Sequence, residues 1–457
     1  MQDIAAAVAF VGVLVFLAHL FTSIFSRTRI PDVILLIIIG VSVGPLLGLI
    51  TPMEFGIVGP ILTTITLIII LFESGTALKL YSIQAALRGA MTLAPLSFFS
   101  TMGVVGGLSL WLTDLEVLPA FILGAIVGST SETVIIPLVK QLKIRRDTET
   151  LLSVESSIND VLSIIITVAL VGAYELGEFN IASLFSDLIA SFIVALVFGF
   201  IAAFIWSTLL NKIRAIKNAM FTTPAFVFIM FGIIETLGFS GAIFALAFGV
   251  TIGNIESIRF PFFKTDPSKE PAGFNETEKV FFSEVAFLLK TFFFVYLGIS
   301  LELISGWFII LGLLFTIVAF ILRIPAIRIS LRKPMSARDA SIVAIMVPKG
   351  LAAVVLASIP LQQGIIGGDV IQNVTYAVVL LSIVMTSVFI LLFDKAKLSD
   401  IYARILISNS VKSGAGKSLP VGKLANKEGK ITPAGTKLFG AEQKSGKKRP
   451  SSKEENS

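Results

Sequence analysis

An all-α polytopic membrane protein of about 13 transmembrane helices, built as two inverted six-helix repeats with crossing discontinuous helices at spans 5 and 12, is the fold class that the sequence predicts. Three observations predict it. Apolar residues gather in long blocks, positive charge is confined to alternate loops, and polar breaks interrupt two of the blocks. Of 457 residues, 55% are hydrophobic and only 14% charged, and the mean hydropathy is +0.93. A soluble domain carries about 25% charged residues, so this composition fits a bilayer as solvent.

Each block is long enough to span, or nearly span, the hydrocarbon. Span 1 (4–25) lacks the basic n-region and small-residue cleavage pattern of a signal peptide and reads as a retained helix. Spans 2 (31–50), 3 (57–76) and 4 (90–112) follow, the third ending in LFESGTAL. Span 5 (118–139) is interrupted by GSTSET, and span 6 (150–173) carries Glu155 and Asp160 ahead of an apolar second half. Span 7 (184–211) links the halves. Span 8 (219–237) precedes a short span 9 (240–253), which is either tilted or packed with span 8 as a bent pair. Span 10 (281–301) ends in VYLGISL, repeating the G-x-x-L of span 3, and span 11 (304–327) follows it. Span 12 (339–359) is broken by VPKG, and span 13 (373–394) closes the apolar region.

Lys and Arg set the orientation. With the N-terminus outside, the inner loops hold Arg27 and Arg29; Lys79 and Arg88; Lys140, Lys143, Arg145 and Arg146; Lys212, Arg214 and Lys217; Arg259, Lys264 and Lys269; Arg332, Lys333 and Arg338; and Lys395 and Lys397. The outer loops hold Asp3, Glu54, Asp114, Glu116, Glu175, Glu178, Glu302 and Asp369, and no Lys or Arg. The expected arrangement is a multi-pass cell-membrane protein with its C-terminus in the cytoplasm. Residues 1–175 form the first repeat, 176–216 the linking span, 217–397 the second repeat, and 398–457 a disordered basic cytoplasmic tail rich in Gly, Ser and Lys. Matching breaks in the two halves of such a plan point to a midplane binding site.

Several function classes are excluded by composition. There is no cysteine, and His19 is the one histidine, which rules out thiolate chemistry, histidine-ligated metals and a histidine-centred triad. With one histidine and no cysteine, an enzyme is not expected, nor is a cofactor or a nucleic-acid partner. An organic-anion carrier would present a cationic centre, whereas the polar residues of span 6 are acidic.

A charge at the bilayer centre costs at least about 2.5–3.5 kcal/mol, so the few deep ones need a purpose. They are Glu73, Glu132, Glu155, Asp160, Glu235, Glu284, Lys290, Arg323 and Lys349; Glu235 and Glu284 are near enough to block ends to reach the interface. In span 6, at about 100° per residue from Glu155, Asn159 lies at about 40°, Ser163 at about 80°, Ser156 at about 100°, Thr167 at about 120° and Asp160 at about 140°. One stripe thus holds the strong ligand oxygens. A packing seam would be served by the serines and asparagine alone; Asp160 goes beyond it. Asp160 with Asn159, Ser156 and Thr130 makes a hard-oxygen site for a small monovalent cation. A carboxylate taken out of water takes whichever cation neutralises it, H+ or an alkali ion. Competition at that one group is sufficient for exchange. At the breaks, free helix ends face one another, and Lys349 is placed to neutralise C-terminal ends.

These motifs resemble a known family. SVESSINDV resembles the E-S-x-x-N-D helix of NhaP/NHE-type sodium/proton antiporters (the monovalent cation:proton antiporter family), and LGAIVGSTSETVIIP resembles their broken helix with its Ala-Thr-Asp-Pro core. LFESG, FFFVYLGISL, LRIPAI and VPKGLAAVVLA fall in the family's order, and the likeness covers residues 5–395. The resemblance implies a homodimer in which an ion-carrying core moves like an elevator against an interface domain. It implies Asp160 as the ion- and proton-binding carboxylate with Asn159 beside it, Thr130 and Ser156 as supporting ligands, and Glu73 as an outer contact. It further implies a structural Glu155–Arg323 bridge, and Lys349 stands where the family has an Arg. Two departures matter. The family's Asp after the threonine is Ser131 here and its following Pro is Glu132, which moves a carboxylate by about 100° on a helix. Lys290 precedes FFFVYLG, where a lysine releases a proton in electrogenic relatives with paired aspartates; Asn159 in place of the first aspartate points instead to electroneutral exchange. The expected activity is exchange of Na+ (or Li+ or K+) for H+ at Asp160. A K+/H+ antiporter of the same fold and a cation channel are the alternatives.

Overall fold

The apolar blocks fold as helices, and the described residues contain no strand. The computed structural model describes residues 2–28, 31–52, 58–77, 80–142, 144–176, 181–216, 219–257, 273–301, 306–330 and 336–395. The tail expected at 398–457 lies outside the described residues, as do loop charges such as Arg29, Glu54, Lys79, Lys143, Glu178, Lys217, Arg259, Lys264, Lys269, Glu302, Arg332, Lys333 and Lys397.

In chain order the helices are α1 (Gln2–Thr28), α2 (Asp32–Val41), α3 (Val58–Ala77), α4 (Leu80–Leu112), α5 (Val117–Gly128), α6 (Glu132–Gln141), α7 (Arg146–Leu176), α8 (Ile181–Ile213), α9 (Thr222–Thr236), α10 (Gly241–Asn254), α11 (Glu276–Ile299), α12 (Gly306–Ser330), α13 (Ala337–Ile345), α14 (Leu351–Gln362) and α15 (Gly368–Lys395). Seven segments, in α4, α7, α8, α9, α11, α12 and α15, are long and apolar enough to cross a membrane, and shorter apolar helices lie in α1, α2, α3, α5, α10 and α14. Apolar side chains such as Val8, Phe16, Ile310 and Trp111 are exposed, as lipid contact permits. Helix α4 begins at Leu80, ten residues before its apolar block. Hydropathy marks where lipid begins, whereas helical hydrogen bonding continues past it.

The short ninth block proves to be half of a tight helical pair. Gly238, at φ 81°, turns the chain between α9 and α10, which pack on one another. Glu235 is exposed at that bend, where its carboxylate accepts the Gly241 N–H at 2.7 Å at the α10 N-terminus. The Arg214 fork binds Glu278 at 2.9 and 2.6 Å and tethers the end of α8 to the start of α11.

Two crossings fix the packing. Helix α3 packs on α10, and α2 on α11. At the first crossing, a Cβ on Gly75 would strike Leu246 O at 2.6 Å and one on Gly249 would strike Phe72 O; one on Gly253 would lie 2.8 Å from the Thr76 Cα. At the second, a Cβ on Gly298 would strike Ile37 O and one on Gly40 would strike Val295 O; one on Gly44 would lie 2.8 Å from the Ile299 Cα. In each crossing the blocking carbonyl lies three residues before the opposing glycine. The G-x-x-x-G spacing of Gly40/Gly44 recurs in Gly249/Gly253, which lets backbones meet closely. Around these crossings, α4 packs on α5 and α7, and α15 on α12 and α14. Because a backbone neighbour cannot swing aside, Gly249→Leu is expected to destabilise by more than the roughly 1–3 kcal/mol of ordinary overpacking. Gly172→Ala, with open space around it, should leave the melting temperature unchanged; paired thermal melts check both.

Candidate functional site

The site begins where two helices stop inside the apolar region. Helix α5 ends at Gly128 and α6 starts at Glu132, and Ser129 and Ser131 are extended (ψ 161° and 109°). Helix α13 ends at Ile345 and α14 starts at Leu351. The two breaks touch. Ser131 N–H donates to Pro348 O at 2.8 Å, and a Cβ on Gly350 would collide with the Ser131 side chain, so only glycine allows this approach. Helix ends leave carbonyls without partners, and cations suit them. Lys349, 2% exposed, donates from Nζ to Ser129 O at 2.7 Å, while its own N–H donates to Ser382 Oγ at 2.9 Å. Arg323 treats α13 in the same way, donating from Nε to Val343 O at 3.2 Å. Lys349→Met should leave the Ser129 carbonyl buried and unpaired, at a cost of about 1–3 kcal/mol, which a lowered melting temperature would register.

Helix α7 presents two polar faces to this crossing. On one, Glu155 and Asn159 are fully buried. Arg323 binds both Glu155 oxygens, at 2.6 and 2.8 Å, and reaches Ser97 Oγ at 3.4 Å. Asn159 Nδ2 donates to Glu155 at 2.6 Å and to Thr130 Oγ1 at 3.0 Å, which leaves Asn159 Oδ1 buried without a hydrogen-bond partner. Ser163 Oγ donates to Ala125 O at 2.9 Å and so ties α7 to α5.

The second face opens on a small cavity lined by Asp160, Ser157, Glu132, Ser131, Ser74 and apolar residues including Ile70, Leu71, Val161 and Leu351. No described residue hydrogen-bonds to Asp160, whereas Glu132 accepts from Ser153 Oγ and Ser157 Oγ, both at 2.8 Å. The structure thus gathers Asp160, Ser131 and Glu132 at one cavity, with Thr130 and Asn159 joined behind it. Ser156 is fully buried and donates to Ser153 O at 3.1 Å within its own helix; it does not line the cavity. Glu73 and Lys290 pair with each other at 2.9 Å and are not among the lining residues, although Glu73 adjoins Ser74, which is.

Sequence reasoning passed over Ser153, Ser157 and Ser74. A signal existed for the first. Seven residues separate Ser153 from Asp160, so the two lie within about 20° on a helix. Glu132 keeps its place at the cavity because Ser131 is still extended; a shift of one residue there is not a helical rotation.

Both the sequence and the fold match known proteins. The family described as "Sodium/hydrogen exchanger, transmembrane" matches residues 12–394. The "K(+)/H(+) antiporter NhaP2" of Shewanella sp. (strain MR-4) is 25% identical over 335 residues, covering 71% of this chain and 55% of that protein. The "Na(+)/H(+) antiporter 1" of Methanocaldococcus jannaschii is 26% identical over 215 residues, covering 46% of this chain and 49% of its own. The chain thus spans about half the length of these curated relatives. The solved structure of the sodium proton antiporter MjNhaP1 from Methanocaldococcus jannaschii at pH 8 superposes with a TM-score of 0.67 at 22% identity, covering 88% of this chain and 100% of that one; it is a likeness of fold. A match running almost from the first apolar block to the last places the chain in the sodium/hydrogen exchanger transmembrane family.

Proposed function

We propose that the chain is a secondary-active monovalent cation/proton antiporter, Na+/H+ exchange being the leading form, in which H+ and the cation compete for Asp160. The observation that carries this is the setting of Asp160. It lies on a cavity beside two touching helix breaks and has no hydrogen-bond partner among the described residues. An acceptor left open beside a water-sized space is suited to a ligand it must also release. Exchange at one carboxylate is electroneutral, and Asn159, held by Glu155 and Thr130, adds no second exchanging acid.

Thirteen spans in two inverted repeats frame the site. The seven long and six shorter apolar helices fall one in each of the thirteen expected blocks. The α3–α10 and α2–α11 crossings repeat the same glycine register with the roles of the halves exchanged, which favours the repeat plan and gives the LFESGTAL and VYLGISL echo a packing reason. A cell-membrane location, N-terminus out and C-terminus in, a homodimer and elevator-type movement complete the proposal.

The relatives named for K+/H+ antiport favour a K+-selective form of the same mechanism as the second reading. Proton flux in sealed vesicles on addition of Na+, Li+ or K+ separates the two. Flux that follows voltage and ignores the proton gradient would replace both with a channel.

A further inference from the structure

Two buried threonines have no part in the site described so far. Thr66 on α3 and Thr167 on α7 are fully buried, and the hydroxyl of each has no hydrogen-bond partner among the described residues. A threonine in a helix commonly returns its hydroxyl to a carbonyl three or four residues back, as Thr63 does to Gly59 O at 2.9 Å and Thr316 to Gly312 O at 2.7 Å. Leaving a hydroxyl unpaired in an apolar interior is costly. Both exceptions continue the walls of the Asp160 cavity, which α3 lines with Ile70, Leu71 and Ser74, and α7 with Ser157, Asp160, Val161 and Ile164. At about 100° per residue, Thr66 lies within about 40° of Ile70, one turn away, and Thr167 within about 20° of Asp160, two turns away. In the orientation proposed above α3 runs inward and α7 outward, so both threonines fall on the outer side of the cavity. At about 1.5 Å per residue, Thr66 is about 6 Å beyond Ile70 and Thr167 about 4.5 Å beyond Ile164, which brings the two to a similar height.

We propose that Thr66 and Thr167 line the outward passage of the Asp160 site, their hydroxyl oxygens standing in for water on a partly dehydrated alkali cation as it moves between Asp160 and the outer face. This rests on the antiport reading above and adds to it the route of the ion. Hydroxyl oxygens are hard donors that suit alkali cations, and being neutral they do not hold the ion as a carboxylate would. A hydroxyl with no hydrogen bond to keep is free to rotate, so its lone pairs can follow the ion. Helix α3 packs with α10 and α11, whereas α7 packs with α4 and α5, so a shift between these groups parts the two hydroxyls and opens the passage.

The chain has no cysteine, so a single introduced thiol reports without background. Thr66→Cys and Thr167→Cys, in proteoliposomes exchanging Na+ for H+, should react with a charged, membrane-impermeant thiol reagent applied on the outer side, and the reaction should block flux. Thr316→Cys, equally buried but at a hydroxyl bonded to Gly312 O, should stay unlabelled. Thr66→Val and Thr167→Val keep the shape of the side chain and remove the hydroxyl. Each should lower maximal proton flux by about tenfold with half-saturation for Na+ unchanged. The melting temperature should hold or rise, because an unpaired buried hydroxyl has gone. Wild-type maximal flux in both valine variants would overturn the proposal, as would thiols that stay unlabelled during exchange or react only from the cytoplasmic side. Should a cysteine variant fail to fold, the valine variant at the same position decides. Absence of cation-driven flux in the wild type, or its survival in Asp160→Asn, would remove the antiport reading as well, and so is distinguishable from failure at the threonines alone.

Discussion

Vesicles carrying Asp160→Asn are expected to show no proton movement when Na+, Li+ or K+ is added, although the protein folds and melts as the wild type does. The substitution keeps the shape of the side chain and removes the one property the mechanism uses, the ability to hold either H+ or a metal cation. Folding should be little affected, because no described residue hydrogen-bonds to Asp160 and no partner is left stranded. The amide can neither release a proton to an arriving ion nor neutralise one. The expected loss is therefore complete, and a variant retaining full coupled flux would refute the assignment.

Arg323→Met and Glu155→Gln are expected to do the reverse: large losses of stability with little change in cation affinity. Both side chains are wholly buried and joined by two hydrogen bonds. Removing one partner of such a pair leaves an uncompensated buried charge and costs about 3–5 kcal/mol. Arg323 also serves Val343 O at the end of α13, and Glu155 also holds Asn159, so each loss spreads to a neighbouring element. The double Glu155→Leu/Arg323→Met should recover part of the loss, since an apolar pair needs no compensation. Thermal melting and yield of the folded protein give the stability, and half-saturation for Na+ gives the affinity. A normal melt with altered affinity would argue that the pair belongs to the ion site itself.

The architecture was legible in the sequence because a bilayer imposes strong rules. Blocks of apolar residues have to be helices where no water is present to satisfy the backbone. GSTSET and VPKG stood out for the same reason: they leave polar backbone in an apolar region, which is tolerated only where protein or a cavity meets it. Lys349 was legible as a helix-end cation because its position between apolar runs left it few other uses.

Side-chain aim was harder to read. The helical wheel assigned Ser156 to the same stripe as Asp160, but its hydroxyl turns back to Ser153 O, an option serines in helices commonly take. Ser157 falls outside that stripe yet reaches the cavity, because Glu132 on a neighbouring helix comes to it. Such a contact depends on how α6 lies against α7, which no single-helix periodicity contains. Lys290 and Glu73 illustrate the same limit. They lie 217 residues apart in sequence, and only the packing of α3 on α11 brings them to 2.9 Å.

Purified protein in a weakly buffered detergent solution allows the most direct test, a titration of cation binding at several pH values with the released protons counted. If H+ and the cation exclude one another at Asp160, each bound Na+ should displace a proton under acidic conditions. The apparent Kd should then rise by up to about tenfold for each unit of acidification, with unchanged capacity at saturation. A Kd indifferent to pH, with no protons released on binding, would contradict the account.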